Sequence, residues 1–160
     1  MSVYSSRLKD FYELSMSLTG VSIYELQGTG VGEKYFVTVK NIVGEEIFFN
    51  LLKIFRKIGR ECNDKIHYFD QKLRIYILSD PMFGPVARNI IKMWYLGSWF
   101  QLPDVWREEY YINNSNDVTH VISNESYVEG LVWKVIESHP MGAKQPGYGT
   151  WSLPFKHHNK

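Results

Sequence analysis

The sequence predicts an all-α fold, with a single domain over residues 1–160 that holds about five helices, a long ordered loop and an extended C-terminal arm. Two patterns predict it: apolar side chains recur at helical spacing as far as Leu96, and glycine and proline interrupt them where helices would end. The chain is also 44% hydrophobic and 22% charged, a composition that can bury a core. We expect residues 1–5 to be a flexible start and residues 140–160 to be the arm.

The first predicted helix covers Ser5–Leu18, where apolar residues keep helical spacing and Gly20 suits the stop. Three glycines punctuate Val21–Gly32, which we interpret as a flexible connection. Their spacing is not that of a dinucleotide-binding fingerprint. Glu33–Val43 is predicted to be a helix, although Val37-Thr38-Val39 within it favours a strand.

The clearest helical pattern spans Glu45–Ile58, which has a wide apolar face and a basic face opposite. Acidic residues open this helix and basic residues close it, as the helix dipole favours, and Gly59 is expected to end it. Two further helices are predicted at Ile66–Leu78 and Val86–Leu96. Asp80-Pro81 separates them, because the residue before a proline disfavours the helical conformation.

The second half of the chain is less regular. Ser98–Asn124 is predicted to be a long ordered loop, and loops of this length are usually functional or lie on another surface. Ser126 and Glu129 have the spacing of a capping box, which predicts a last helix at Tyr127–Glu137. Glycine and proline recur after Pro140 and predict the extended arm.

Charge and apolar runs exclude several classes of function. The net charge is +1, and nucleic-acid binding would need a larger basic excess. Four basic residues form a short patch that we interpret as a solvated helix face: Lys53, Arg56, Lys57 and Arg60. The apolar runs are too short to span a bilayer directly. Cys62 is the only cysteine, so the chain cannot form an internal disulfide.

No set of reactive side chains has the spacing of a catalytic or metal site. Cys62 and His67 lie five residues apart, which does not place them well on one helical face, and no third orienting group is evident. The remaining candidates are more typical of a tail, a helix start and a solvated loop: His139, His157 and His158, then Glu45-Glu46, then Glu108-Glu109. We therefore predict no catalytic residue, no bound cofactor and no metal in this chain.

Three motifs combine large aromatic residues with glycine, in a chain that is 16% aromatic. They are Trp94-Tyr95-Leu96-Gly97, Ser126-Tyr127-Val128-Glu129-Gly130-Leu131-Val132-Trp133-Lys134 and Gly147-Tyr148-Gly149-Thr150-Trp151. Glycine allows a ring or a backbone to approach closely, and aromatic residues are enriched at interfaces. We predict a partner interface that includes Trp94, Tyr95, Gly97, Tyr127, Gly130, Trp133, Tyr148, Trp151 and Pro154.

Gly130 would lie inside the last predicted helix, where glycine costs about 1 kcal/mol relative to alanine. Two close contacts would each account for that cost: one with another chain, or a close crossing of two helices within this domain. Both alternatives remain open at this point. At least one of Trp94, Tyr127, Trp133 and Trp151 is also expected to belong to the core.

The order and spacing of five blocks resemble a known family. The blocks are Phe11-x-x-Leu14-Ser15-x-x-Leu18-Thr19-Gly20, Ala87-Arg88-Asn89-Ile90-Ile91-Lys92-Met93-Trp94-Tyr95-Leu96-Gly97, Ser126–Lys134, His139-Pro140-x-Gly142 and Gly149-Thr150-Trp151-x-x-Pro154-Phe155. Together they resemble the small subunit of membrane-associated, FAD-dependent sugar and polyol dehydrogenases of the sorbitol, fructose, glucose and gluconate type.

This resemblance implies a non-catalytic subunit without a cofactor of its own. It implies a heterodimer with a large flavoprotein of the glucose–methanol–choline oxidoreductase type, which holds FAD and the catalytic residues. The small subunit of that family aids the maturation of its partner, as a chaperone does, and a cytochrome c subunit frequently completes the complex.

The family's small subunit often carries a twin-arginine export signal, and none precedes Phe11. The sequence as written therefore predicts a cytoplasmic protein, or one at the periplasmic face of the inner membrane if a signal has been removed. Two other functions remain open. One is a free-standing enzyme that uses His139 or Cys62, and the other is a helical module that binds a small apolar ligand.

Overall fold

The computed structural model describes residues 3–62, 66–110 and 114–141, and these residues are mostly helical. The elements follow the order α1 (Val3–Thr19), α2 (Ile23–Gly28), α3 (Gly32–Val43), α4 (Glu45–Cys62), α5 (Ile66–Leu73) with a π-helical continuation (Arg74–Leu78), α6 (Phe83–Leu96), β1 (Ser98–Trp99), α7 (Asp104–Glu109), β2 (His120–Val121), α8 (Asn124–Val128) and α9 (Val132–Val135). The predicted all-α class is confirmed, and the chain has more helical segments than the five expected.

Four long helices build the core, and all four were predicted: α1, α3, α4 and α6. Their apolar faces meet in a cluster of rings. Phe11 from α1 lies 5.8 Å from both Phe36 and Phe48, measured between ring centroids. Trp94 from α6 meets Tyr35 from α3 edge to face at 4.9 Å. Such pairs add about 0.5–1.5 kcal/mol to the free energy gained by burial, so these rings fix how the four helices pack.

The segment between α1 and α3 was expected to be a flexible connection, and that expectation is wrong. It contains α2, because the Ser22 hydroxyl accepts a hydrogen bond from the Glu25 amide at 3.3 Å and caps the helix. Leu26 of this short helix is fully buried, so burial and the cap together outweigh the low helix propensity of the glycine at its end.

Helix α4 continues through Gly59 instead of ending there. Ile58 and Cys62 are both buried at 3% exposure, so the last turn gains apolar burial that offsets the cost of one glycine. The next predicted helix, Ile66–Leu78, is helical throughout but changes character at Arg74, where π-helical hydrogen bonding begins.

The predicted long loop at Ser98–Asn124 is only partly a loop. Its ends form a small antiparallel sheet in which Ser98 pairs with Val121 and Trp99 pairs with His120. Helix α7 lies between the two strands, and the indole of Trp106 donates a hydrogen bond to the Met82 carbonyl at 2.9 Å. These contacts anchor the segment to α6.

The predicted last helix is broken in two, which corrects the expected range Tyr127–Glu137. Ser123, and not Ser126, caps α8 by accepting a hydrogen bond from the Ser126 amide at 3.1 Å. Helix α8 ends at Val128 and α9 begins at Val132, with Gly130 between them. Within the described ranges, no helix is long and apolar enough to cross a membrane.

A buried carboxylate holds the segment from β1 to β2 together. Asp117 is 1% exposed. Its Oδ1 accepts hydrogen bonds from the Trp99 indole at 2.8 Å and from the Leu102 amide at 3.1 Å. The guanidinium of Arg107 lies 4.0 Å from Oδ2. Three segments of the chain are therefore tied to one side chain.

We predict that Asp117→Ala lowers the free energy of unfolding by about 2–4 kcal/mol, because buried donors left without an acceptor cost about 1–3 kcal/mol each. Urea unfolding followed by circular dichroism measures this change. The matched control is Asp104→Ala, since Asp104 pairs with the same Arg107 at 3.4 Å but its side chain is 80% exposed. The control should cost less than about 1 kcal/mol, and equal losses for both variants would contradict the account.

Candidate functional site

Two of the three aromatic-glycine motifs meet in space at the C-terminal end of α6. We refer to this contact between residues 94–97 and residues 122–133 as the junction. The Leu131 amide donates to the Trp94 carbonyl and the Ile122 amide donates to the Gly97 carbonyl, both at 3.0 Å. The last carbonyls of a helix lack hydrogen-bond donors within the helix. Here the returning chain supplies donors to two carbonyls at the end of α6.

Both glycines of the junction are required by contacts inside this chain. Gly97 ends α6 in the left-handed conformation, with φ of 65°. A Cβ atom there would lie 2.3 Å from the Ser126 carbonyl oxygen, and one at Gly130 would lie 2.8 Å from that of Tyr95. Gly130 lies between α8 and α9 and not inside a helix as expected, and its close contact is with the Tyr95 carbonyl of the same chain. These internal contacts account for both glycines, and their part in a partner interface stays a prediction.

The predicted aromatic anchors also make internal contacts. Trp94 is 1% exposed, so it belongs to the core and its ring has no surface to offer a partner. Tyr127 and Trp133 pack edge to face at 5.2 Å, and the Trp133 indole donates to the Tyr127 carbonyl at 2.7 Å. The Tyr95 hydroxyl donates to the Thr19 carbonyl at 3.1 Å. These last three rings are half-buried and keep some surface for a partner.

The third motif contributes the other predicted interface residues. Tyr148, Trp151 and Pro154 lie outside the described residues, as does most of the predicted arm. Their part in an interface stays a prediction.

Burial and ion pairs set the electrostatics around the junction. Burial raises the pKa of Tyr35 to about 12, and the nearby Ser126 side chain opposes this only in part. Hydrogen bonds from the Ser123 hydroxyl and from the backbone, with the Lys34 ammonium at 3.0 Å, lower the pKa of Glu125 to about 2. The carboxylate of Glu125 thus stays ionised at neutral pH and links α8 to α3.

A second ion pair links α9 to α2. The Lys134 ammonium contacts Oε1 of Glu25, and its hydrogen bond and charge lower the pKa of that carboxyl. Both side chains are largely exposed, so the pair orients the two helices and adds little to stability.

Sequence reasoning missed the apolar side chains that the junction leaves in solvent. Leu96 is 41% exposed, Val121 53%, Val135 67% and Ile136 56%. All four lie on segments that meet at the junction or continue directly from it. Leu96 lies inside one aromatic-glycine motif and Val135 directly follows another, whereas Val121 lies outside all three.

The reactive residues weighed in the sequence are not brought into one site. Cys62 is buried at the end of α4, while His67 on α5 and His139 after α9 are exposed. His157 and His158 lie outside the described residues. In the part of the chain that the structure describes, no three histidine, cysteine or acidic side chains are grouped as metal ligands would be.

Comparisons with known proteins do not identify a family for this chain. No protein-family model matches the chain. No curated protein and no solved structure matches it either.

We predict that Gly97→Ala lowers the stability of the protein by more than the cost of placing alanine in the left-handed conformation. Gly20 provides the matched control, because it has φ of 73° at the end of α1 and a Cβ atom there would meet nothing within 4 Å. Gly20→Ala should cost about 1–2 kcal/mol for the left-handed conformation. Gly97→Ala should cost a further ~1–3 kcal/mol, because the added methyl group overpacks the junction.

Thermal and urea unfolding of the two variants measures the difference. Equal losses for Gly20→Ala and Gly97→Ala would show that the junction has room for a side chain, and would contradict the close approach of residues 97 and 126.

Proposed function

We propose that this chain is a small, non-catalytic subunit that binds and stabilises a large FAD-dependent dehydrogenase or oxidase and aids its maturation. FAD and the catalytic residues belong to the partner in this proposal. The observation that supports it most is the convergence of two sequence blocks that resemble the small subunits of sugar and polyol dehydrogenases. They form one junction in space, beside exposed apolar side chains.

The convergence supports the proposal because it explains why these blocks occur together. Gly97 must lack a side chain for the Ser126 carbonyl to approach, and Gly130 must lack one for the Tyr95 carbonyl. The residue types of the two blocks therefore depend on one another, although the contacting residues lie more than twenty positions apart. The two blocks that carry the resemblance form one structural unit.

The exposed apolar side chains around the junction support a binding role. Leu96, Val121, Val135 and Ile136 are each more than two-fifths exposed. Grouped apolar exposure is typical of interaction sites. We therefore propose that these four residues form the described part of the partner surface, with Tyr127 and Trp133 beside them and Trp94 supporting the junction from the core.

Binding to the folded partner would stabilise that partner by mass action. A ligand present at a hundred times its dissociation constant adds about 2.7 kcal/mol to the stability of the state it binds. A large flavoprotein that folds and takes up FAD slowly would gain from such a partner. This mechanism requires no chemical reaction in the small subunit. It requires only a rigid surface that is complementary to the partner.

Isolation of the tagged chain from its source cells, followed by an absorption spectrum, tests the proposal. We expect a large protein to co-purify in a fixed ratio and to release FAD on acid treatment, and we expect the isolated, dialysed chain to retain no flavin. A chain that is a well-behaved monomer with a sharp melt, and that captures no flavoprotein, would contradict the proposal.

Two matched variants locate the surface in that experiment. Val135 and Val105 are 67% and 74% exposed, but only Val135 lies beside the junction. Val135→Ser should raise the dissociation constant of the complex about tenfold, because burial of a valine contributes about 1.5 kcal/mol. Val105→Ser should leave it unchanged. Equal effects of the two substitutions would place the partner surface elsewhere.

A further inference from the structure

Helix α4 borders two adjoining grooves, and none of the four apolar residues of the proposed partner surface lines either of them. The first, which we name the apolar groove, has a volume of about 630 Å³ and lies between α1, α2, α4 and α5. The second, which we name the basic groove, has a volume of about 570 Å³ and lies between α1 and α4. Arg56 and Arg60 line both grooves, so the two adjoin at these side chains of α4.

The apolar groove has a recessed floor and an exposed rim. Phe55 and Cys62 line it at only 6% and 3% exposure, whereas Met16 is 38% exposed and Ile66 is 74% exposed. An inserted apolar side chain would therefore contact the floor below and the rim at its sides. Concave apolar sites of this size accept a few side chains of a docked helix.

The basic groove has more positive than negative charge. Among its basic residues, only Arg56 and Lys57 have a carboxylate within 4 Å in the described part of the chain: Arg56 pairs with Asp10 at 3.4 Å and Lys57 with Glu61 at 3.8 Å. The other basic residues that line it are Arg7, Lys53 and Arg60. Of these, Arg7 is placed over the ring of Phe49, with its guanidinium carbon 3.6 Å from the ring centroid.

We propose that the two grooves form one docking site for an acidic amphipathic helix of a partner protein. Its apolar side chains would fill the apolar groove at the spacing of successive helical turns. Its carboxylates would face Lys53 and Arg60, where charge-assisted hydrogen bonds can form. The proposal does not depend on the flavoprotein assignment, since it rests on a different surface.

Charge and shape favour this occupant over others. The chain's own residues 142–160 contain three lysines and no Asp or Glu, so they would bring more positive charge to a basic surface. A bilayer surface is flat and needs protruding apolar side chains, whereas the floor residues Phe55 and Cys62 are recessed. A second copy of this chain is the remaining alternative, and the experiment below separates it.

Fluorescence anisotropy of a labelled synthetic peptide on the folded chain tests the proposal. The peptide is a helix with leucines on one face and glutamates flanking them, and its control has lysine in place of every glutamate. We expect the acidic peptide to bind at least tenfold more tightly than the basic one. Added salt should weaken its binding, because ions screen exposed charges beyond about 10 Å at 0.1 M.

Four variants, paired by residue type, place the peptide in the grooves. Ile66→Ser and Arg60→Glu change residues that line them, and each should weaken binding at least tenfold. Ile75→Ser and Arg74→Glu change exposed residues that do not line either groove and should have no effect. All four side chains are exposed, so the fold should persist, which circular dichroism checks.

Several outcomes would overturn the proposal. Equal binding of the acidic and basic peptides would show non-specific apolar adhesion, and equal losses in the paired variants would place binding outside the grooves. No binding of the acidic peptide would also overturn it. If the chain instead self-associates in sedimentation, or binds vesicles of anionic lipid, and Ile66→Ser abolishes that behaviour, the occupant is a second copy or a membrane.

Discussion

The close approach of the backbone at Gly97 to the carbonyl of Ser126 is the constraint on which the second half of the structure depends. A Cβ atom at position 97 would lie only 2.3 Å from that oxygen. Glycine has no Cβ, and it also adopts the left-handed conformation at no steric cost. Once the contact forms, the Ile122 and Leu131 amides reach the carbonyls of Gly97 and Trp94. The returning chain is then fixed against the end of α6, whose core side is held by the ring of Trp94.

This constraint also holds in place the segments that carry exposed apolar side chains beside the junction. Backbone hydrogen bonds hold the segments that meet at the junction. Their exposed apolar side chains therefore lie on a rigid support. Pre-ordered surfaces lose less conformational entropy on binding than mobile ones. The grooves along α4 form a second surface of different chemistry, with Arg56 and Arg60 lining both of them.

The sequence allowed prediction where structure is local. Helices α1, α3, α4 and α6 follow from apolar spacing, and Gly20 ends α1 with φ of 73° as its position suggested. Helix α2 was missed because the three glycines of its segment suggested a flexible connection and the cap at Ser22 was not recognised. Asp117 was missed because its partner Trp99 lies 18 residues away in sequence. The last helix was predicted to be continuous, but it is broken near Gly130. This glycine packs against the Tyr95 carbonyl, and a local sequence pattern cannot predict a contact between residues so far apart in sequence. Of the predicted interface rings, Trp94 lies in the core, whereas Tyr95, Tyr127 and Trp133 are half-buried.

Hydrogen exchange of two amides measures whether the junction is a fixed part of the folded core. The Ile122 and Leu131 amides donate across the junction at 3.0 Å. We predict that both amides exchange as slowly as amides in the middle of α6, because their hydrogen bonds open only when the protein unfolds as a whole. Fast exchange at Ile122 and Leu131, with α6 still protected, would show that the junction opens by itself and would contradict the claim.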